Sequence, residues 1–299
     1  MNTKRIMCAL LVPVLGWTAM AQTERQDPKP QPPAKTAVKE AVKEMPFCHK
    51  ASEVIGAKVK NAAGEDLGKV EDLVLDPNDG TIEYAVLSSG GFLGIGDKLF
   101  SVPFSLLRAP EVKEHSDLAF FTLDVDKAKL ENAPRFPKDK WPNVDEPSWR
   151  SEIDTYFGTH GRVSAKTLDS ATSFHLIRAS DALGENIHNP NGDKLGDIKE
   201  IVVDPSRSRV TYFVLSSGGF LGLGDKLFAI PWAELKVMRK DKNELSLLLD
   251  IDKARLEKAP EYKDADWARM SDPNYVKSVY DYYECHCYWV GPEKSGGSD

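Results

Sequence analysis

Beyond residue 21 the sequence holds no apolar run of the roughly 20 residues that a membrane-spanning helix needs, so no segment after the leader reads as a transmembrane helix. It also lacks an excess of positive charge. Its 39 Lys and Arg face 46 Asp and Glu, for a formal charge of −7. Such a surface repels phosphate backbones, which argues against DNA or RNA as a partner. Cysteine is scarce, four in 299 residues, and the six histidines form no catalytic or metal-binding spacing.

What is present begins with a leader. Lys4 and Arg5 precede a mostly apolar stretch, Ile6 to Ala21, that contains Pro13 and ends Ala19-Met20-Ala21. This is the pattern of a cleaved secretory signal over residues 1–21, with the mature chain starting at Gln22 and residing in the periplasm or outside the cell. Cys8 lies within the leader and has no lipobox around it. Residues 22–46 are rich in Pro, Lys, Glu and Gln and read as a disordered tether.

Self-comparison is the most informative step. At a shift of 128 residues, ASEVIGAKVKNAAGEDLG from Ala51 meets ASDALGENIHNPNGDKLG from Ala179. At the same shift LVLDPNDGTIEYAVLSSGGFLGIGDKLFSVP meets IVVDPSRSRVTYFVLSSGGFLGLGDKLFAIP. After a two-residue deletion the shift is 126, and LDVDKAKLENAP meets LDIDKARLEKAP. Trp141, Pro147 and Tyr156 then meet Trp267, Pro273 and Tyr282. The chain is one domain-sized unit written twice, over 47–157 and 174–284, with a small, polar linker at 158–173 and a Cys-His-Cys segment and tail over 285–299.

Each unit is mainly β. Asn61–Gly64, Asn189–Gly192 and Asp76–Gly80 are turn sequences. Ile82, Tyr84 and Val86 alternate with Thr81, Glu83 and Ala85, while the alternation through Val70, Leu73 and Leu75 slips once, as at a bulge. The pattern predicts about six strands per unit, in the first around 47–54, 57–61, 68–76, 81–88, 98–107 and 118–125, folded as a small barrel. Asp126 and Asp252 then cap short helices, and second helices follow Pro147 and Pro273. Each unit is long enough to be expected to fold alone.

The succession V-x-N-x-x-G-x-x-L-G, an Asp-Pro turn, Tyr-x-Val-Leu, Gly-Gly-Phe-Leu-Gly and Val-Pro-Phe or Ile-Pro-Trp resembles the PRC-barrel, found over 51–125 and again over 179–251. This domain is shared by the H subunit of the bacterial photosynthetic reaction centre and the C-terminal half of a ribosome-maturation factor. The resemblance implies two small PRC-type β-barrels, each followed by short helices, used as docking modules with no shared catalytic residues or cofactor. A photosynthetic role would rest on that analogy alone, and fold does not carry function.

The repeated glycine loop invites a phosphate-binding reading, which its chemistry rejects. Asp97-Lys98 follows Gly96 where a P-loop needs Lys and then Ser or Thr, and Gly94-x-Gly96 lacks the third glycine of a dinucleotide fingerprint. The loop instead reads as a hairpin connection whose glycines, Gly90, Gly91, Gly94 and Gly96 with Gly218, Gly219, Gly222 and Gly224, supply positive φ. The pairs Phe92-Leu93 and Phe220-Leu221 cannot both point inward on a regular strand, so each loop is also a candidate docking tip for a protein partner, the other barrel or a second copy.

Three cysteines remain in the mature chain: Cys48, Cys285 and Cys287. In an exported protein a disulfide from Cys48 to Cys285 or Cys287 is expected, tying the start of the first unit to the end of the second. The alternatives are thiols that stay reduced or join another chain, and a soft-metal site of Cys48, Cys285, His286 and Cys287. His286 cannot easily turn onto its neighbour as a base. Asp124-x-Asp126 and Asp250-x-Asp252 lack the glycine and distal glutamate of a calcium loop, and no cleft suits paired-carboxylate hydrolysis. The reading is a non-enzymatic, exported binding or assembly module, with periplasmic metal or redox handling as the alternative.

Overall fold

The computed structural model describes residues 48–88, 98–110, 120–159, 176–218, 226–241 and 244–285. The leader, the tether, both glycine loops short of Gly218, most of the linker, and His286 and Cys287 lie outside the described residues. No helix among the described residues is long and apolar enough to cross a membrane.

The first repeat runs β1 (His49–Lys50), α1 (Ala51–Val54), β2 (Lys58–Lys60), β3 (Asp66–Leu75), β4 (Ile82–Ser88), β5 (Lys98–Pro103), β6 (Leu107–Arg108), β7 (Phe120–Leu123), α2 (Lys127–Glu131), β8 (Arg135–Pro137) and α3 (Pro147–Phe157). The second runs β9 (Ile177–Arg178), α4 (Ala179–Ala182), β10 (Asn186–His188), β11 (Lys194–Asp204), β12 (Arg209–Ser217), β13 (Lys226–Pro231), β14 (Leu235–Asp241), β15 (Glu244–Leu249), α5 (Lys253–Leu256), β16 (Glu261–Tyr262) and α6 (Pro273–Tyr283). The strands make two curled sheets, ordered β6-β7-β2-β3-β4-β5-β8 and β14-β15-β10-β11-β12-β13-β16. Tyr84, Phe100, Phe104 and Phe121 fill the first, and Tyr212, Phe213, Phe228 and Tyr262 fill the second.

Several elements follow directly from local chemistry. Asp126 accepts from Lys129 N at 2.5 Å and Asp252 from Arg255 N at 2.7 Å, the N-caps that start α2 and α5. Pro147 and Pro273 occupy first-turn positions of α3 and α6, where a missing N–H costs nothing. The pairing of β3 with β4 shifts register between Val70 and Asp72, a bulge where the alternation slips. Two expectations need correction. The predicted strand over 47–54 is two residues of strand followed by the helical turn α1, because the chain must reverse there; Gly56, at φ 103, completes the reversal by donating to Val70 O. The strand predicted over 98–107 breaks at Pro103 into a 3-10 turn, Phe104–Leu106.

The eighth strand of each sheet comes from the other repeat. β1 pairs antiparallel with β11, His49 facing Val203 and Lys50 facing Val202. β9 pairs antiparallel with β3, Val74 facing Arg178 and Leu75 facing Ile177. The exchange is reciprocal, and the contacts around it come in matched pairs. Ser52 donates to Glu200 at 2.5 Å, and its counterpart Ser180 donates to Asp72 at 2.5 Å. Val210 N donates to Gly80 O at 2.7 Å, and Ile82 N to Ser208 O at 2.9 Å. Buried apolar residues from both repeats form one cluster. The repeats are therefore not independent: a fragment of either one lacks a strand that its sheet uses.

Candidate functional site

The candidate docking tips are anchored on β4–β5 and β12–β13. Ser88 pairs with Leu99 across the first connection, and Ser217 with Lys226 across the second. Thr81, just before β4, bridges antiparallel to Arg209, the first residue of β12. The two strands thus run away from this bridge in opposite directions, and the glycine connections leave from opposite ends of the pair. These last paired residues are not at matching repeat positions, since Ser88 corresponds to Ser216. Ser88 Oγ donates to Glu71 at 2.7 Å, and Lys138 and Lys69 lie 3.1 and 3.2 Å from the same carboxylate. Burial pushes the Glu71 carboxyl up, but these three partners hold it below the usual range. Ser217 Oγ instead donates to Leu195 O at 2.6 Å. Gly218, the first glycine of the second loop, takes φ 88. Gly90, Gly91, Gly94, Gly96, Gly219, Gly222, Gly224, Phe92, Leu93, Phe220 and Leu221 lie outside the described residues.

The turns at the inner end of β4 and β12 have diverged between repeats, and the junction shows why. Gly80 takes φ 76, and a Cβ there would stand 2.8 Å from Trp232 Cδ1 and 3.2 Å from Val210 O. Only glycine fits. Trp232 Nε1 reaches past it to donate to Pro77 O at 3.1 Å. Arg209 donates to Asp79 O at 2.7 Å and pairs with its carboxylate at 3.1 Å. On the other side Ser208 adopts φ 54, and the residue matching Trp232 is the smaller Phe104.

The cysteines lie near the second repeat. Cys48 Sγ is 3.8 Å from Thr211 Oγ1, and Thr211 Oγ1 donates to Val202 O at 2.8 Å. Burial pushes the Cys48 thiol up to about 12, with the Thr211 contact opposing and Asp204 adding to it. At neutral pH it is a protonated thiol. Burial also pushes the neighbouring His49 down, against Glu53 and Asp204. Cys285 is buried just past α6, its N–H donating to Tyr280 O at 3.2 Å. The Tyr280 ring lies 5.6 Å from that of Tyr212, the residue next to Thr211. β12 bulges at this point, since Val202 faces Tyr212 and Val203 faces Val210. Cys48 and Tyr280 of α6 thus contact neighbouring residues of β12, Thr211 and Tyr212. Among the described residues no three Cys, His, Asp or Glu converge as metal ligands.

Sequence reasoning did not single out the carboxylates at the junction. Asp72 is 3% exposed, and burial pushes its carboxyl up against the Ser180 and Leu73 hydrogen bonds. The available signal was a charge inside an apolar strand flanking the slip in alternation.

This architecture is recognised at the level of family. The PRC-barrel domain model matches residues 49–127 and again 174–256, more than half of the chain. The chain belongs to the PRC-barrel family. The first match runs from β1 to the start of α2 and the second from just before β9 to the end of α5, so β8, α3, β16 and α6 lie outside the family domain. No curated protein is similar enough to the sequence to be compared with it.

Proposed function

We propose that this tandem PRC-barrel protein is a non-enzymatic binding or assembly module, exported to the cell envelope, that docks on a protein partner through Phe92-Leu93 and Phe220-Leu221. One observation carries the reading. SSGGFLG is unchanged in both repeats, whereas the junction turns, which are under visible packing constraint, have diverged to Pro77–Gly80 and Pro205–Ser208. A connection between strands needs its glycines; two large apolar residues kept in both copies fit use as anchors. Self-association through the same tips is the form this docking takes if the partner is a second copy. In the test, Phe92, Leu93, Phe220 and Leu221 are replaced together by serine, and proteins cross-linked to the chain in envelope preparations are compared with wild type. Loss of a specific cross-linked species at unchanged melting temperature supports the reading. An unchanged cross-linking pattern, or collapse of the fold, contradicts it.

A second reading is favoured by Cys48 contacting Thr211 while Tyr280, whose carbonyl accepts from Cys285 N, contacts the adjacent Tyr212: a disulfide from Cys48 to Cys285 or Cys287 that fastens the exchanged strand. Intact mass with and without reductant after alkylation, together with metal analysis of chain purified without chelator, separates this from the metal site of Cys48, Cys285, His286 and Cys287.

A further inference from the structure

The contacts that join the repeats are of two kinds. One kind recurs on both sides of the junction. Thr81 and Arg209 occupy matching repeat positions and pair with each other, so an approximate twofold axis passes between them. About that axis Gly80 O accepts from Val210 N, and Ser208 O accepts from Ile82 N. Ser52 meets Glu200 as Ser180 meets Asp72. Lys50 Nζ lies 5.0 Å from the centre of the Trp267 ring, and the guanidinium carbon of its counterpart Arg178 lies 4.7 Å from that of Trp141. Contacts related by a twofold axis would survive whichever two repeats were paired: first with first, second with second, or first with second. They hold repeats together without choosing between them.

The other kind occurs on one side only. Trp232 stands where a Cβ on residue 80 would come within 2.8 Å of its ring, and its indole donates to Pro77 O. Arg209 donates to Asp79 O and pairs with the Asp79 carboxylate. On the other side the matching positions hold Phe104, Ser208, Thr81 and Arg207, and Arg207 pairs with Asp204 of its own turn at 3.1 Å. Two second repeats joined in the same way would set Trp232 against the Cβ of Ser208 and Arg209 against Arg207, on both sides of the axis. Two first repeats would set the smaller Phe104 against Gly80 and leave a void. They would also leave Asp79 without the cation of Arg209, and Pro77 O without the indole donor.

We propose that the junction is a recognition surface that selects by repeat type: the first repeat accepts a second-type repeat and rejects its own kind. Asp79, Gly80, Arg209 and Trp232 carry the choice, together with their counterparts Arg207, Ser208, Thr81 and Phe104. The large ring and the free-reaching cation sit on one member only, and the glycine and carboxylate that receive them sit on the other. Selection by a fit on one side and a clash on the alternative is how an interface excludes wrong partners. Within the chain, this decides which barrel each exchanged strand joins. Between chains, it decides the partner: the surface of a second copy that fits the junction of the first repeat is that copy's second repeat.

The test starts from the folded full chain with a protease site placed within residues 160–173. After the linker is cut, the paired halves are equilibrated in urea, returned to buffer and weighed by native mass spectrometry. Pairs of a first with a second repeat should make up nearly all of the material, far beyond the share that random pairing gives. Ser208→Gly, Arg209→Thr and Trp232→Phe together place the first repeat's junction residues in the second repeat. With them, pairs of two second repeats should appear and move the mixture toward random. A random mixture from the unaltered chain overturns the proposal. Halves that separate without pairing also overturn it, as does a mixture that the three substitutions leave unchanged. If the triple variant does not fold, Arg209→Thr alone, which removes the cation that would oppose Arg207, should move the mixture in the same direction, and no movement overturns the proposal.

Discussion

Ser180 Oγ donates to the Asp72 carboxylate at 2.5 Å, and Ser180 N donates to the same group at 3.2 Å, across the line that divides the two repeats. Ser52 does the same to Glu200, at 2.5 and 3.3 Å. Each serine opens the helical turn that follows an exchanged strand, and each carboxylate flanks the bulge in the strand it joins.

The two latches should differ in worth. Asp72 is nearly inaccessible, so Ser180→Ala withdraws a hydroxyl donor from a buried carboxylate and should cost about 1–3 kcal/mol. Glu200 is only half-buried and Ser52 exposed, so Ser52→Ala should cost under about 1 kcal/mol. The Ser180→Ala deficit should shrink as pH falls and Asp72 protonates, because the lost donor served the ionised form. Chemical denaturation at pH 7 and at pH 4 reads both effects.

Gly80 and Gly64 give a matched comparison. Both take positive φ, 76 and 83 respectively, but a Cβ on Gly64 meets nothing within 4 Å while one on Gly80 meets Trp232. Gly64→Ala should cost about 1 kcal/mol, from backbone strain alone. Gly80→Ala should cost clearly more, since the indole or the turn must move. Trp232→Phe should recover part of the Gly80→Ala loss, as expected for contacting residues. Thermal unfolding of the two single variants and the double variant decides this.

Much of the local structure was legible in the sequence. The slip in alternation marked the bulge around Glu71, Asp126 and Asp252 marked the helix starts, and the prolines at 147 and 273 marked α3 and α6. The strand exchange was not. A two-residue strand has no periodicity to detect, and β1 pairs with Val202 and Val203, far along the chain. β8 and β16 escaped for the same reason. Glu83 sat in a position of the strand pattern that reads as the solvent side, yet it is half-buried. At the docking tips the sequence remains the guide, because Phe92, Leu93, Phe220 and Leu221 lie outside the described residues.

Cys48 should be chemically quiet in the folded chain. In a variant with Cys285→Ala and Cys287→Ala, its buried, high-pKa thiol should react with iodoacetamide at pH 8 only as fast as the protein opens. The labelling rate should rise with urea in step with unfolding. Rapid labelling under native conditions would show that β1 detaches on its own.

The central claim is that reciprocal strand exchange makes the two repeats one cooperative unit. Calorimetric unfolding of the full chain tests it most directly. The account predicts one transition, with calorimetric and van't Hoff enthalpies equal, that Ser180→Ala shifts as a whole. Two transitions, with Ser180→Ala moving only one of them, would contradict it and return the protein to two barrels that merely share a chain.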